Sequence, residues 1–158
     1  MTDYTLISEQ LKSLIDGEDD IISNLANASA LIYESLDRLN WAGFYLSKEE
    51  DGAKRLQLGP FQGKTACIRI PYGKGVCGTA AAEDATQLVP DVHKFPGHIA
   101  CDGASNSEIV IPIHRDGQVW GVLDIDSPEY DRFNAEDRAG LEGLVRVIEG
   151  QWNRLQGN

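Results

Sequence analysis

Three acidic residues lie at the ends of two predicted strands and are the first candidates for chemistry in this sequence. Glu108 begins one strand, and Asp124 and Asp126 end the next one. If these carboxyls cluster, their mutual repulsion raises at least one pKa, so that a protonated carboxyl remains available to donate a proton. Such a cluster can also hold an ammonium group. The three residues therefore indicate an acid site for a small cationic or zwitterionic ligand; the alternative is that they are solvated and only add solubility.

The register of the hairpin between these strands decides whether the acids meet. A two-residue turn at 116–117 mixes the apolar and polar faces, whereas a three-residue loop at 115–117 keeps them apart. The longer loop predicts two apolar pairs, Ile109 with Leu123 and Ile113 with Val119. It also sets Glu108 directly opposite Asp124, with their Cβ atoms about 5 Å apart. Asp126 then lies one step further along the same face.

The chain has three cysteines, whose number and spacing favour redox chemistry over a structural role. An odd number without C-x-x-C spacing argues against a static disulfide framework and against a structural zinc site. Cys101 lies in a polar, glycine-containing loop seven residues before Glu108, which favours an accessible thiol. Cys67 opens a predicted strand, and Cys77 lies in the glycine-rich segment 73–78. A buried, unreactive thiol is the alternative for each.

Two other patterns near the cysteines have simpler interpretations. Segment 73–78 fits G-x-G-x-x-G, but Pro71 interrupts the preceding strand and no doubly wound pattern follows, so turn chemistry explains it better than dinucleotide binding. His93 and His98 could act as a base for Cys101. Exposed loop histidines without partners are the commoner outcome, and neither is selected as a site residue.

Trp41 and Tyr45 lie in one predicted strand. Aromatic residues at such positions usually belong to the core. If the strand lines a pocket, the two rings suit a ligand with a small soft or methylated group. The residues alone leave both interpretations open.

Apolar periodicity predicts the elements that hold these residues. They are a short helix ending near Gly17, an amphipathic helix over 18–40, strands at 41–46 and 55–58, a short helix over 79–85, a long loop over 91–107, the hairpin 108–126, and a C-terminal helix with Asn134 as N-cap. This order predicts an α+β fold, in which helices pack on an antiparallel sheet. We expect one domain over 1–158, with N-terminal helices over 1–40, sheet and loops over 41–130, and a C-terminal helix over 134–156.

Composition excludes several classes of partner. The chain has 158 residues and a formal charge of −11, from 25 acidic and 14 basic side chains. This charge repels phosphate backbones and anionic lipids, so neither nucleic acid nor a membrane surface is an expected partner. The N-terminus has no readable secretory signal, which predicts a cytoplasmic location.

Six segments together resemble one family, the free methionine-(R)-sulfoxide reductases, which are GAF-domain enzymes. The segments are 40–46 (NWAGFYL), 59–64 (GPFQGK), 73–78 (GKGVCG), 97–102 (GHIACD), 105–108 (SNSE) and 121–127 (GVLDIDS). The likeness runs from about the second helix to the end of the chain. Three cysteines combined with the acid hairpin are far more specific than a general GAF pattern.

The resemblance implies a GAF fold of about six antiparallel strands, a homodimer, and reduction of free methionine-(R)-sulfoxide to methionine. By position, Cys101 resembles the attacking cysteine, and Cys67 or Cys77 the one that resolves it, with Cys67 favoured. The resemblance further implies that substrate binds to Glu108, Asp124, Asp126, Trp41 and Tyr45. The disulfide formed in turnover would be reduced by an external dithiol such as thioredoxin, and no cofactor or metal is expected.

Two other functions remain open at this level. A non-catalytic GAF sensory module would bind a small molecule without transforming it, although no output domain is evident in the sequence. A thiol peroxidase or redox sensor would use Cys101 but would not need the carboxylate cluster. Turnover of methionine sulfoxide with a thiol reductant distinguishes the three.

Overall fold

The computed structural model describes residues 1–99 and 103–155, with the side chains of 153–155 excepted. The helices are α1 (Tyr4–Ile15), α2 (Ile21–Ser35), α3 (Gly75–Glu83) and α4 (Ala135–Leu155). The strands are β1 (Trp41–Glu50), β2 (Ala53–Gly63), β3 (Arg69–Pro71), β4 (Gln87–Val89), β5 (Ser107–Arg115) and β6 (Gln118–Ser127). A 3₁₀ turn (Val92–Lys94) follows β4. None of these helices combines the length and the apolar character that a bilayer crossing needs.

The strands form one sheet in the order β3-β2-β1-β6-β5-β4, and every neighbouring pair is antiparallel. Helices α1, α2 and α4 pack on one face, which we call the helical face. Helix α3 packs on the other, which we call the cavity face. The predicted α+β fold with about six antiparallel strands is confirmed.

Polar side chains cap the N-termini of α2 and α4. Asp20 accepts hydrogen bonds from the backbone N–H groups of Ile22 and Ser23 at the start of α2. At the start of α4, Asn134 Oδ1 accepts from the Asp137 N–H at 2.9 Å, and Asp137 Oδ2 accepts from the Asn134 N–H at 3.0 Å. This reciprocal pair is a capping box, and it confirms Asn134 as the N-cap.

Two predicted helices have different limits in the structure. Helix α2 ends at Ser35, five residues before the predicted end, because the backbone turns extended at Leu36 and left-handed at Arg38. Helix α3 starts at Gly75, four residues before the predicted start, since the glycines of its first turn do not carry the apolar signal on which the prediction relied. The predicted long loop over 91–107 contains the 3₁₀ turn and the first residue of β5.

The hairpin β5–β6 closes differently from the predicted three-residue loop. Arg115 pairs with Gln118, so the turn has two residues, Asp116 and Gly117, both with positive φ. This is the backbone pattern of a type I′ turn, whose twist matches that of the strands.

Because of a bulge near this turn, the observed strand pairing differs from the predicted one. His114 faces Val119 but Ile113 faces Gly121, which leaves Trp120 as an extra residue on β6. Glu108 therefore lies opposite Asp126, not Asp124, and the other two predicted pairs are wrong as well, since Ile109 pairs with Ile125 and Ile113 with Gly121. The register differs by two residues, so the acids keep the same face.

Packing of two tryptophans accounts for the bulge. The Trp120 ring lies 4.8 Å from the Trp152 ring, and Trp152 Nε1 donates to the His114 carbonyl at 2.8 Å. The extra residue turns Trp120 to the helical face, where it packs against α4, and leaves Val119 on the cavity face.

Candidate active site

A single cavity brings together most of the residues singled out in the sequence. It lies on the cavity face, between β1, β6, β5 and the start of α3. Its walls include Trp41, Tyr45, Cys77, Glu108, Asp124 and Asp126. Thr65 and Ala66, which precede Cys67, line it as well. Cys101 lies outside the described residues, so its prediction as nucleophile is not placed.

The three acids are buried on the wall formed by β5 and β6. Glu108, Asp124 and Asp126 are 7%, 5% and 9% exposed. Because Glu108 pairs with Asp126 and Val110 pairs with Asp124, the three carboxyls occupy adjacent positions on one face. Asp124 Oδ1 is buried and has no hydrogen-bond partner among the described residues. The unused oxygen and the cavity position suit ligand binding.

Burial shifts the proton equilibria of these acids. It raises the pKa of Glu108 well above its ordinary value, and the charges of Asp124 and Asp126 raise it further. Burial also raises the pKa of Asp124, while hydrogen bonding with Glu108 and Cys77 acts in the opposite direction. Taking several carboxylates out of water without a cation is unfavourable, so the neutral form of Glu108 is favoured.

Helix α3 brings Cys77 against the acid wall. Its thiol donates to Glu108 Oε2 over 3.9 Å, and the residue is 5% exposed. Burial raises the pKa of the Cys77 thiol, and the charges of Asp124 and Glu108 add to the effect. A thiol held in its neutral form is a weak nucleophile.

Two glycines let α3 pack this closely, one against β3 and the other against the loop residue Ile99. A Cβ at Gly78 would lie 2.5 Å from the Pro71 carbonyl oxygen. Gly75 has φ +63°, and a Cβ there would meet the Ile99 side chain at 3.2 Å. The glycine-rich segment 73–78 therefore acts through backbone packing that positions Cys77.

Cys67 differs from Cys77 in its bonding state. Cys67 is disulfide-bonded, whereas Cys77 is a buried free thiol. The Cys67 carbonyl oxygen accepts a hydrogen bond from the Tyr45 hydroxyl at 2.9 Å, which joins this segment to β1.

Trp41 and Tyr45 on β1 form a second wall of the cavity. Both rings are buried and stacked, with centroids 5.8 Å apart, and Trp41 also stacks on Phe61 at 5.1 Å. Trp41 pairs with Asp126 across the β1–β6 ladder, so the aromatic wall adjoins the acids. Trp41 and Tyr45 therefore line the cavity and also belong to the buried core, so the two locations considered from the sequence both occur.

His98, Lys74 and Ser105 also line the cavity, and sequence reasoning did not select them. Burial lowers the pKa of His98, while the charge of Asp124 acts in the opposite direction. The position of His98 three residues before Cys101 was the one signal for a site residue, but a histidine in an exposed loop could have the same position without any role. His93 is not part of this lining; its Nδ1 lies 2.9 Å from Asp91 Oδ1 in an exposed pair.

The arrangement can bind a small ligand that has both a cationic and an apolar group. The acids attract the cation, and the stacked rings offer van der Waals contact to the apolar part. A neutral carboxyl at Glu108 is a hydrogen-bond donor to an acceptor oxygen. Cys77, Glu108 and Asp124 also place one ligand-type atom each within 4.8 Å of one another.

Known proteins with a similar sequence and fold point to one family. The family model "GAF domain" matches residues 20–152. A free methionine-R-sulfoxide reductase of Escherichia coli is 53% identical over 146 residues, which cover 92% of this chain and 86% of that protein. The structure of fRMsr of Staphylococcus aureus, in its reduced form, has a TM-score of 0.91 and 54% identity, and the match covers 96% of each chain.

A third relative was solved with a ligand. The free methionine-R-sulfoxide reductase of Neisseria meningitidis, in complex with its substrate, has a TM-score of 0.90 and 40% identity, over 98% of this chain and 90% of that one. Identity at this level over nearly the whole chain establishes the relationship. The chain therefore belongs to the GAF-domain family and, within it, to the free methionine-(R)-sulfoxide reductases.

Proposed function

We propose that this chain reduces free methionine-(R)-sulfoxide to methionine with its cysteines as the electron source. The observation that carries the proposal is one cavity in which a buried acid cluster adjoins a stacked aromatic pair. Family membership supports the same activity, since relatives at 50–53% identity are free methionine-R-sulfoxide reductases.

The cavity walls match the parts of this substrate. The ammonium group lies against the carboxylates of Asp124 and Asp126, and its charge offsets their repulsion. The S-methyl group lies against Trp41 and Tyr45, where it contacts two buried ring faces. Glu108, held neutral by burial, donates a hydrogen bond to the sulfoxide oxygen.

The chemical step uses the Cys101 thiol. The thiolate attacks the sulfoxide sulfur while Glu108 protonates the oxygen, which weakens the S–O bond. The oxygen is transferred to Cys101 as its sulfenic acid, and methionine leaves with two additional electrons. The net change is one thiol and one sulfoxide to one sulfenic acid and one thioether.

Cys67 then resolves the sulfenic acid. Its thiol condenses with the Cys101 sulfenic acid to form a disulfide and water. The choice of Cys67 over Cys77 is supported by the disulfide at Cys67 and by the free, buried thiol of Cys77. An external dithiol such as thioredoxin reduces the disulfide and completes the cycle. The homodimer implied by the resemblance stays a prediction.

The test is turnover of free methionine-(R)-sulfoxide with dithiothreitol, followed by a methionine assay. We expect the parent to turn over and Cys101→Ser to be inactive. Full activity of Cys101→Ser would remove the assigned nucleophile. Cys77→Ser is the matched thiol control, and we expect it to keep turnover and disulfide formation. Intact-mass mapping of the disulfide after one turnover checks independently which cysteines are joined. A protein that binds the sulfoxide but never releases methionine would instead be a sensory module.

A further inference from the structure

Three donor atoms in the cavity form a set that the proposed reduction uses only in part, because it gives Cys77 no role. They are the thiol sulfur of Cys77 on α3, a carboxylate oxygen of Glu108 on β5 and one of Asp124 on β6, all within 4.8 Å of one another. All three residues are buried, and Asp124 Oδ1 has no hydrogen-bond partner among the described residues. We propose that Cys77, Glu108 and Asp124 form a binding site for a thiophilic divalent cation, with Zn²⁺ as the best match.

The donor set selects the ion. Calcium and magnesium prefer six or more oxygen ligands, whereas zinc accepts sulfur and oxygen in a tetrahedron. Zinc bonds of about 2.3 Å to sulfur and about 2.1 Å to oxygen place neighbouring ligand atoms roughly 3.5 Å apart. The Cys77 Sγ lies 3.9 Å from Glu108 Oε2, which is close to this spacing, and the full set, whose atoms lie within 4.8 Å of one another, contracts around the ion.

Electrostatics favour a cation in the same place. Ion pairs among the described residues include neither Glu108 nor Asp124, so both carboxyls lack a fixed basic partner. A divalent ion offsets two of the three negative charges that the two carboxylates and the thiolate carry. Binding breaks the S–H bond of Cys77 and the O–H bond of the neutral Glu108 carboxyl, forms one Zn–S and one Zn–O bond in their place, and releases both protons to solvent with no change of oxidation state. A water molecule would complete the four ligands of a tetrahedral zinc.

The same position makes the ion a competitor of the substrate. Glu108 and Asp124 cannot hold zinc and bind methionine sulfoxide together, so a bound ion blocks the reductase until it is chelated. This competition rests on the proposed function, whereas the metal site itself does not. Cys77, which the thiol chemistry leaves unused, then makes the enzyme sensitive to free zinc.

The experiment removes the other thiols first. In the full-length variant Cys67→Ser/Cys101→Ser, Cys77 is the only cysteine of the sequence. Titration of Zn²⁺ against a chromophoric chelator should give one site per chain. Adding Cys77→Ser or Asp124→Asn should weaken binding roughly 100-fold or more, since losing a supporting contact alone costs 10- to 100-fold. Co²⁺ should give a sulfur-to-metal charge-transfer band that Cys77→Ser abolishes.

A second cluster provides the matched control. His114 has Asp84 Oδ1 at 2.5 Å and Glu149 Oε2 at 3.1 Å, so it offers nitrogen and oxygen donors outside the cavity. His114→Gln in the same background should leave zinc affinity unchanged. Unchanged affinity in Cys77→Ser, or loss in His114→Gln, overturns the proposal. A zinc-dependent rise of the melting temperature in the parent background but not in Cys77→Ser confirms that folded protein is measured.

Displacement separates this proposal from the proposed function. Free methionine-(R)-sulfoxide should displace zinc from the double variant, whereas the (S) epimer, which chelates zinc equally in solution, should not. If zinc binds through Cys77 but neither epimer displaces it, the metal site stands and the substrate assignment of the acids is wrong.

Discussion

The two faces of the sheet bury their charged groups in opposite ways. On the helical face, the buried guanidinium of Arg132 lies 3.3 Å from Asp137 and 3.2 Å from Asp37. On the cavity face, Glu108 and Asp124 are equally buried but face another acid and a thiol. Strands β5 and β6 supply both faces with alternating apolar residues, but only the acids of the cavity face lie on these strands, whereas Arg132 and its partners lie outside them.

This difference separates stability from function. A buried charge with its partner contributes to a unique packed state, whereas buried like charges destabilise the fold unless a ligand offsets them. The helical face therefore holds the domain together, and the cavity face uses part of that stability for binding. Substitutions on the two faces should consequently differ in which measurement they change.

The largest effect is expected from neutralising the acids of the cavity face. Glu108→Gln removes the proton donor, and kcat/KM for free methionine-(R)-sulfoxide should fall roughly 10²- to 10⁴-fold. Asp124→Asn should also lose much more activity than stability. Steady-state kinetics and thermal melting of the same samples test this. If both variants only lower the melting temperature, the acids are structural.

On the helical face, truncation should act on stability instead. Leu123 is fully buried against the helices and is a direct neighbour of Asp124 in sequence. Leu123→Ala should cost about 2–5 kcal/mol of unfolding free energy. Denaturant unfolding measures it, and kcat per folded molecule at low temperature should stay near the parent value. A loss of activity comparable with that of Glu108→Gln would blur the division between the faces.

The pH dependence of stability should sharpen the comparison further. The pKa of Glu108 is raised in the folded state above its ordinary 4.5, because the folded protein favours the neutral carboxyl. The contribution of this carboxyl to the free energy of unfolding is therefore fully present below pH 4.5. It is lost as the pH rises through the raised folded-state pKa. The parent should therefore lose stability relative to Glu108→Gln as the pH increases from 4.5. Urea unfolding of both proteins across this range gives the difference, and a pH-independent difference would contradict the shift.

The smallest effect is expected at an exposed helix start on the helical face. Asp20 Oδ1 accepts from the Ile22 N–H at 3.0 Å and caps α2. Asp20→Ala should lower the unfolding free energy by about 1 kcal/mol. Turnover should not change, because α2 lies across the sheet from the cavity. Altered KM in this variant would mean that the two faces are coupled.

Sequence reasoning identified the faces of the hairpin correctly but not its register. Alternation of Ile109 and Ile111 with Glu108 and Val110 reports which side is buried, and this signal survives a shift of two residues. The bulge at Trp120 depends on packing against Trp152, 32 positions later, which no local pattern reports. Long-range contacts of this kind decided the difference.

Sequence reasoning predicted the site residues on strands, but not the burial of Cys77 or the place of His98 in the cavity. Trp41, Tyr45 and the three acids meet in one cavity because strand alternation and strand order bring them there. The proposed exclusion of Cys77 from thiol chemistry depends on its burial against Glu108, which spacing alone does not reveal. His98 lines the cavity but has no periodic signal, since it lies in a loop. The roles of all these residues stay predictions until they are tested.

The central claim is that buried carboxylates recognise the ammonium group of a free amino acid. Turnover of methionine-(R)-sulfoxide should be compared directly with that of its N-acetyl derivative, which keeps the sulfoxide and the S-methyl group but lacks the charge. We predict that kcat/KM falls roughly 100-fold or more for the acetylated compound, because the buried carboxylates lose their cation. Equal turnover of the two compounds would contradict the account.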